Sequence, residues 1–144
     1  MKNLLIVPLL LAWCGVATAA DEVEWFSKGP GGEDRIVMHY FYSDTCPVCT
    51  EAKPFIEALR EVAWLEVRAF EVSANRDNAI RYRDTAAAIG GQARSVPAYI
   101  ACGAMLTGYN GPEPTWERLS VIFKRCMPAG GEPSAAETPP AAGD

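Results

Sequence analysis

At 144 residues, 49% hydrophobic and 22% charged, the chain has the length and composition of one globular domain. Its formal net charge of −5 comes without any run of Lys or Arg, which argues against a nucleic-acid or anionic-membrane partner. The single histidine excludes many acid–base mechanisms, and no nucleotide-binding loop, Ser-His-Asp set or paired-carboxylate hydrolase pattern occurs.

The first segment is expected to leave the fold. Lys2 gives a positive start, residues 4–12 form an apolar run broken by Pro8, and Ala17-Thr18-Ala19 supplies small residues in an A-x-A arrangement. Together they read as a secretory signal peptide over residues 1–19, cut after Ala19 or one residue later. The apolar run is too short to span a bilayer comfortably. Trp13 before Cys14 departs from the small residue a lipoprotein cleavage box needs. Loss of Lys2 takes the formal charge from −5 to −6. Export, to a periplasmic compartment, with no stable membrane span after cleavage, is the expectation.

Residues 24–26 carry a weak signal for a short strand or helix, which Gly29-Pro30-Gly31-Gly32 then breaks. Residues 35–42 are apolar at nearly every position and rich in aromatics, the pattern of a strand buried on both faces and parallel to a neighbour. Cys46-Pro47-Val48-Cys49 follows at the start of a helix expected over 47–62, with Val48, Ala52, Phe55, Leu59 and Val62 on one face. Pro47 suits a first helical turn, and Pro54 should kink the helix. A strand is predicted over 64–72. A second helix is predicted over 75–89, capped by Asn75 or Asp77 and ended by Gly90-Gly91. Residues 96–102 and 104–107 read as a hairpin about Gly103, 108–114 as a loop, and 115–126 as a closing helix. The fold class is therefore α/β in the order β-α-β-α-β-β-α, a central mixed sheet with helices on both faces. Residues 128–144 are rich in Pro, Gly and Ala and hold no large apolar side chain, so they read as a disordered tail. The folded domain is placed at 20–127.

The chemistry lies in the cysteines. With Cys14 removed, Cys46, Cys49, Cys102 and Cys126 remain, an even number that suggests disulfides in an oxidising compartment. Three pairings are open; Cys46 with Cys49 is chemically the simplest and leaves Cys102 with Cys126. A redox dithiol needs one accessible, ionisable thiol and a partner close behind it. Cys46 at a helix N-terminus and Cys49 one turn on meet both needs. The competing uses are a structural staple and a metal clamp. Zinc is disfavoured because Cys102 and Cys126 form no second close pair. Soft thiolates can hold Cu(I), with His39 as the one remote imidazole, although a core histidine is the simpler account of that residue.

The motif, with Pro54 five residues beyond the second cysteine and Arg94-Ser95-Val96-Pro97 before the hairpin, resembles the thioredoxin-fold thiol–disulfide oxidoreductases over essentially all of residues 21–127. That resemblance implies a nucleophilic Cys46, a resolving Cys49, and a substrate surface made by Pro47, Val48, Val96 and Pro97. It also implies that Pro97 is cis, that Gly111 leaves room for substrate, and that no cofactor is needed. The last helix would run back towards the Gly103 turn, which favours a structural Cys102–Cys126 disulfide over a second redox pair. The implied partners are protein thiols or disulfides and an unidentified redox partner protein. The chain departs from the family at Tyr40, where many members carry a buried carboxylate, at Thr45, where an aromatic residue is common, and in its Pro-Val middle pair. With Asp44 beside the site these departures leave the direction of electron flow open, leaning towards reduction or isomerisation of exported protein disulfides. A copper-binding chaperone of the same fold and a non-catalytic interaction module are the alternatives. Tyr99 and Tyr109 are candidates for a substrate groove or for packing, and Arg81-Tyr82-Arg83-Asp84 reads as a solvated helix face.

Overall fold

The computed structural model describes residues 22–127; the proposed signal peptide and tail lie outside them. The strand at Asp34–Tyr42, here β2, is the hub of a mixed five-stranded sheet. It runs parallel to β3, Leu65–Glu71, on one side. On the other side it is antiparallel to β1, Phe26–Lys28, and to β4, Ala98–Ala101. β5, Ala104–Thr107, extends the sheet from β4. Helices α1, Pro47–Arg60, α2, Arg76–Ala88, and α3, Pro112–Phe123, complete the chain. The described domain is thus α/β with the order β-β-α-β-α-β-β-α.

Side-chain alternation along β2 explains its unbroken apolarity. Ile36, Met38 and Tyr40 enter the core beneath α1 and α3, with Phe55, Ile56 and Leu59 from α1 and Trp116, Leu119 and Phe123 from α3. Phe41 turns the other way, to a smaller core with Tyr82 and Ala86 of α2 and with Ala98 and Ile100. His39 shares that second face: its ring stacks on Phe70 and meets Trp25 edge-on, and it is buried as a core histidine. The dithiol helix therefore lies over one face of the sheet, and His39 points to the other.

Three boundaries differ from the sequence expectation. Residues 26–28 form a true strand, because the Gly-rich turn folds β1 back onto β2, with the Gly32 N–H donating to the Gly29 carbonyl at 2.9 Å. β4 begins at Ala98 rather than residue 96, since Pro97 has no N–H for the ladder and the Val96–Pro97 bond is cis. α3 begins at Pro112 rather than residue 115, because the N–H groups of a first turn have no intrahelical partner and prolines cost nothing there. The chain enters α3 through Gly111 at φ 95°, a conformation that favours glycine. The β4–β5 hairpin turns on Cys102 and Gly103, at φ 48° and 71°, the two positive values a type I′ turn requires.

Candidate functional site: a free dithiol at the mouth of α1

The loop after β2 is built to present Cys46. The Ser43 hydroxyl accepts the Thr45 N–H at 3.2 Å and lies 2.9 Å from the Thr45 hydroxyl, while the Cys46 N–H donates to the Ser43 carbonyl at 3.2 Å. From β3 the Glu71 carboxylate reaches across. It accepts the backbone N–H groups of Asp44 at 3.4 Å, Ser73 at 2.9 Å and Ala74 at 2.8 Å, and also the Ser73 hydroxyl. Those donors, the Ser73 hydroxyl foremost, hold its pKa down at about 2, so it stays an acceptor at any working pH. One acidic side chain thereby ties together the loops that follow β2 and β3.

Cys46 is the N-cap of α1, with φ −93° and ψ 114°. Its carbonyl accepts from the Thr50 N–H at 3.1 Å, and its sulfur accepts the Cys49 N–H at 3.3 Å. The sulfur thus occupies the position where a capping oxygen normally sits, facing the positive end of the helix. Cys46 is half-buried and Cys49 is 1% exposed, and both are free thiols. Burial foremost, and then the hydrogen bond and charge of Cys46, push the Cys49 thiol up to about 11. The two sulfurs of one motif are therefore chemically unequal: one stands at the surface, the other is a protonated thiol beneath it.

Beside Cys46 runs the segment before β4. The Cys46 thiol points at the Val96 carbonyl oxygen, 3.8 Å away. Of the four residues expected to make a substrate surface, Pro47 and Val48, which follow Cys46 in the chain, are exposed, Val96 is half-buried with its carbonyl facing the Cys46 sulfur, and Pro97 is buried. The Pro97 carbonyl accepts from the Gly108 N–H at 2.8 Å, and the Tyr82 hydroxyl donates to the Ser95 carbonyl at 2.7 Å.

Tyr82 corrects the sequence expectation. It is 5% exposed and stacks on Phe41 at 4.6 Å, so it does not belong to a solvated helix face; its neighbours Arg81 and Arg83 do. The spacing of Tyr82, Thr85, Ala86 and Ile89 carried the signal, but the charges between them masked it. Tyr99 is wholly buried and lines no groove, whereas Tyr109 is half-buried against Phe55. Tyr40, also buried, occupies the core behind the dithiol; burial and then the charges of Cys49 and Cys46 raise its pKa above the ordinary phenol range.

Cys102 and Cys126 form a disulfide that ties the β4–β5 turn to the turn just after α3, as expected. An open cleft of about 260 Å³ lies between α1 and the sheet, walled by Tyr42, Lys53, Ile56, Glu57 and Arg60. It meets the site only through Tyr40 and Asp44, and neither cysteine lines it. Among the described residues no group of three or more His, Cys, Asp or Glu side chains is gathered to hold a metal, and no helix is long and apolar enough to cross a membrane. Compared with protein-family models, curated proteins and solved structures, the chain finds no match.

Proposed function

We propose that this protein is a thioredoxin-like thiol–disulfide oxidoreductase, exported to the periplasm, that exchanges disulfides with protein substrates through Cys46 and Cys49. One observation carries the proposal: a half-exposed free thiol at the N-cap of a helix, with a second free thiol buried one turn behind it and the Val96 carbonyl 3.8 Å from the first sulfur. The likeness to thioredoxins rests on the C-x-x-C at the start of α1, Pro54 inside that helix, the cis bond before Pro97 and a β4–β5 hairpin followed by a closing helix.

The chemistry follows from the inequality of the two sulfurs. Cys46, as thiolate, attacks one sulfur of a substrate disulfide, and the other substrate sulfur leaves with the electron pair. The Cys49 thiol then loses its proton and attacks Cys46, releasing the reduced substrate and leaving a Cys46–Cys49 disulfide. An extended substrate chain laid across Pro47, Val48 and Val96 presents its disulfide to the exposed sulfur. The direction favoured is reduction or isomerisation, with a separate redox protein restoring the dithiol.

The test is turbidimetric reduction of insulin with a dithiol donor. The wild type accelerates it, and Cys46→Ser reduces the rate to the uncatalysed level. Wild-type and Cys46→Ser proteins of equal rate would end the proposal. The copper alternative draws no specific support, since His39 faces the opposite side of the sheet and its Nε2 pairs with the Glu24 carbonyl at 3.1 Å.

A further inference from the structure

The cleft between α1 and the sheet is a gap in an otherwise filled layer. On the face of β3 that α1 covers, Leu65, Val67 and Ala69 stand beside Ile36, Met38 and Tyr40 of β2. Leu65 and Val67 are buried, but the methyl group of Ala69 does not fill the space above it and stays exposed. The cleft that results, about 260 Å³, is lined on the β2 side by the stacked rings of Tyr40 and Tyr42, 5.5 Å apart. On the helix side it is lined by Lys53, Ile56, Glu57 and Arg60, which recur at the spacing of one face of α1. Among the described residues β3 pairs with β2 alone, so the cleft lies at an edge of the sheet.

Charge and position decide what the cleft can hold. The four charged side chains at its rim pair with one another, Lys53 with Asp44 at 3.7 Å and Arg60 with Glu57 at 3.4 Å. Arg60 also donates to the Val67 carbonyl at 3.3 Å. The rim therefore carries no net charge, while the floor is aromatic and aliphatic, a setting that favours an uncharged apolar group. The volume falls short of the about 300 Å³ at which sites enclosing a small-molecule ligand begin, and suits a single side chain. Its near end is continuous with the exchange site, since Asp44 stands two residues before Cys46. Lys53 and Arg60 lie seven and fourteen residues beyond Cys46, about 10 and 21 Å along the helix. An extended chain covers that distance in about three to six residues. Because β3 and β4 flank β2 on opposite sides, the cleft and the Val96 carbonyl stand to either side of the strand that leads to Cys46. We propose that the cleft is an accessory subsite for the substrate polypeptide, holding one apolar side chain about three to six residues from the cysteine that Cys46 attacks. The inference rests on the oxidoreductase reading and deepens it by naming the substrate class: extended polypeptides with an apolar residue at that spacing. A chain anchored on both sides of its disulfide presents the reacting sulfur with less freedom to lose.

The test uses the reduced full-length protein and synthetic peptides whose single cysteine is disulfide-bonded to thionitrobenzoate. Cys46, as thiolate, attacks the peptide sulfur, an S–S bond forms between them, and thionitrobenzoate leaves with the electron pair as a coloured anion. One phenylalanine is moved residue by residue along an otherwise Gly-Ser peptide, on either side of the cysteine, and the second-order rate of release is read. The wild type should react fastest with phenylalanine about three to six residues away on one side. The gain over the peptide without phenylalanine should be about tenfold, the worth of a partly buried phenyl ring. In Ala69→Leu, where a larger side chain fills the cleft from an exposed position, the peak should vanish. Release from the phenylalanine-free peptide should stay at the wild-type rate, and an unchanged melting temperature shows that the variant is folded. The positional scan on the wild type stands without the variant. A flat profile in the wild type, or a peak unchanged in Ala69→Leu, overturns the proposal. So does a peak that appears only when residues 128–144 are removed, which would assign the cleft to that segment. A concentration-dependent dimer that Ala69→Leu dissociates would assign it to a second copy and overturn the proposal likewise. Release no faster in the wild type than in Cys46→Ser, for every peptide, ends the oxidoreductase reading itself, so the two fail separately.

Discussion

Selective alkylation probes the inequality of the two thiols directly. Burial and the neighbouring Cys46 carry the Cys49 thiol from 9.0 to about 11. At pH 7.5 that displacement lowers the thiolate fraction from about 3% to about 0.03%, a hundredfold loss of the reactive form. Cys49 is also 1% exposed, so even the thiolate present is shielded from reagent, while Cys46 is half-exposed. Iodoacetamide on the reduced protein, followed by mass mapping of the Cys46–Cys49 peptide over time, should therefore label Cys46 at least about a hundredfold faster than Cys49. In Cys46→Ser, Cys49 should stay largely protected, because burial is the first cause of its displacement and the substitution leaves burial intact. The same displacement has a stability consequence. The folded state holds the Cys49 proton longer than the unfolded chain does, so its contribution is fully present below pH 9 and is lost as pH rises through about 11. About 3 kcal/mol is at stake. Equal labelling of the two cysteines at pH 7.5, or faster labelling of Cys49, would refute the asymmetry and with it the assignment of attacking and resolving roles.

The Cys102–Cys126 bridge closes a loop of 24 residues, for which loop-closure entropy gives about 3.4 kcal/mol. Replacing both by Ala should lower the melting temperature by on the order of 15–25 °C in calorimetry; a drop of only a few degrees would show that the bridge does not anchor α3. The Tyr82 hydroxyl secures Ser95, next to Val96 in the proposed substrate surface. Tyr82→Phe should cost about 1 kcal/mol in urea unfolding and raise the KM for a protein disulfide, while alkylation of Cys46 is untouched. Burial lowers the pKa of His39, and Arg68 and Arg81 add to this against the opposing Glu24 carbonyl and carboxylate. The unfolded chain takes up that proton first, so stability falls as pH drops below about 6.5; the fall should be shallower in His39→Phe.

The parts of the fold legible in the sequence are those in which one local pattern has one physical outcome. Residues 35–42 are apolar on both alternating sets, and the strand is indeed covered on both faces by the two cores. Cys46-Pro47-Val48-Cys49 reads as a helix mouth because Pro47 fits N1, and the structure starts α1 there. Gly103 announces the hairpin turn, although nothing local shows that Cys102 itself takes φ 48°. What stays hidden depends on distant partners. β1 is three residues long and becomes a strand only by pairing with β2. Pro112 and Pro114 look like loop residues until Gly111 delivers the chain into a helix. At the site, both thiols and the Val96 neighbourhood are readable from motif and spacing. Glu71 and Tyr82 are not, since each matters through contacts across elements that no spacing rule encodes.

The two cysteine pairs occupy mechanically different places, and this bears on the redox cycling proposed for one of them. The Cys102–Cys126 bridge joins residues 24 apart, from a hairpin turn to the turn just after α3, so opening it gives the unfolded chain a large gain in freedom and loosens a packed helix. Cys46 and Cys49 stand three apart on a single helical turn, whose backbone bonds, Cys46 carbonyl to Thr50 N–H included, are formed while both sulfurs are free. Making or breaking a bond there closes a loop too small to alter the unfolded ensemble appreciably and asks nothing of the helix ladder. The proposed exchange at Cys46 and Cys49 is therefore decoupled from global stability, and its equilibrium is left to local terms: the helix terminus facing Cys46 and the burial of Cys49. A reversible redox step needs that separation, because a dithiol whose oxidation reinforced the whole fold would be held in the disulfide form.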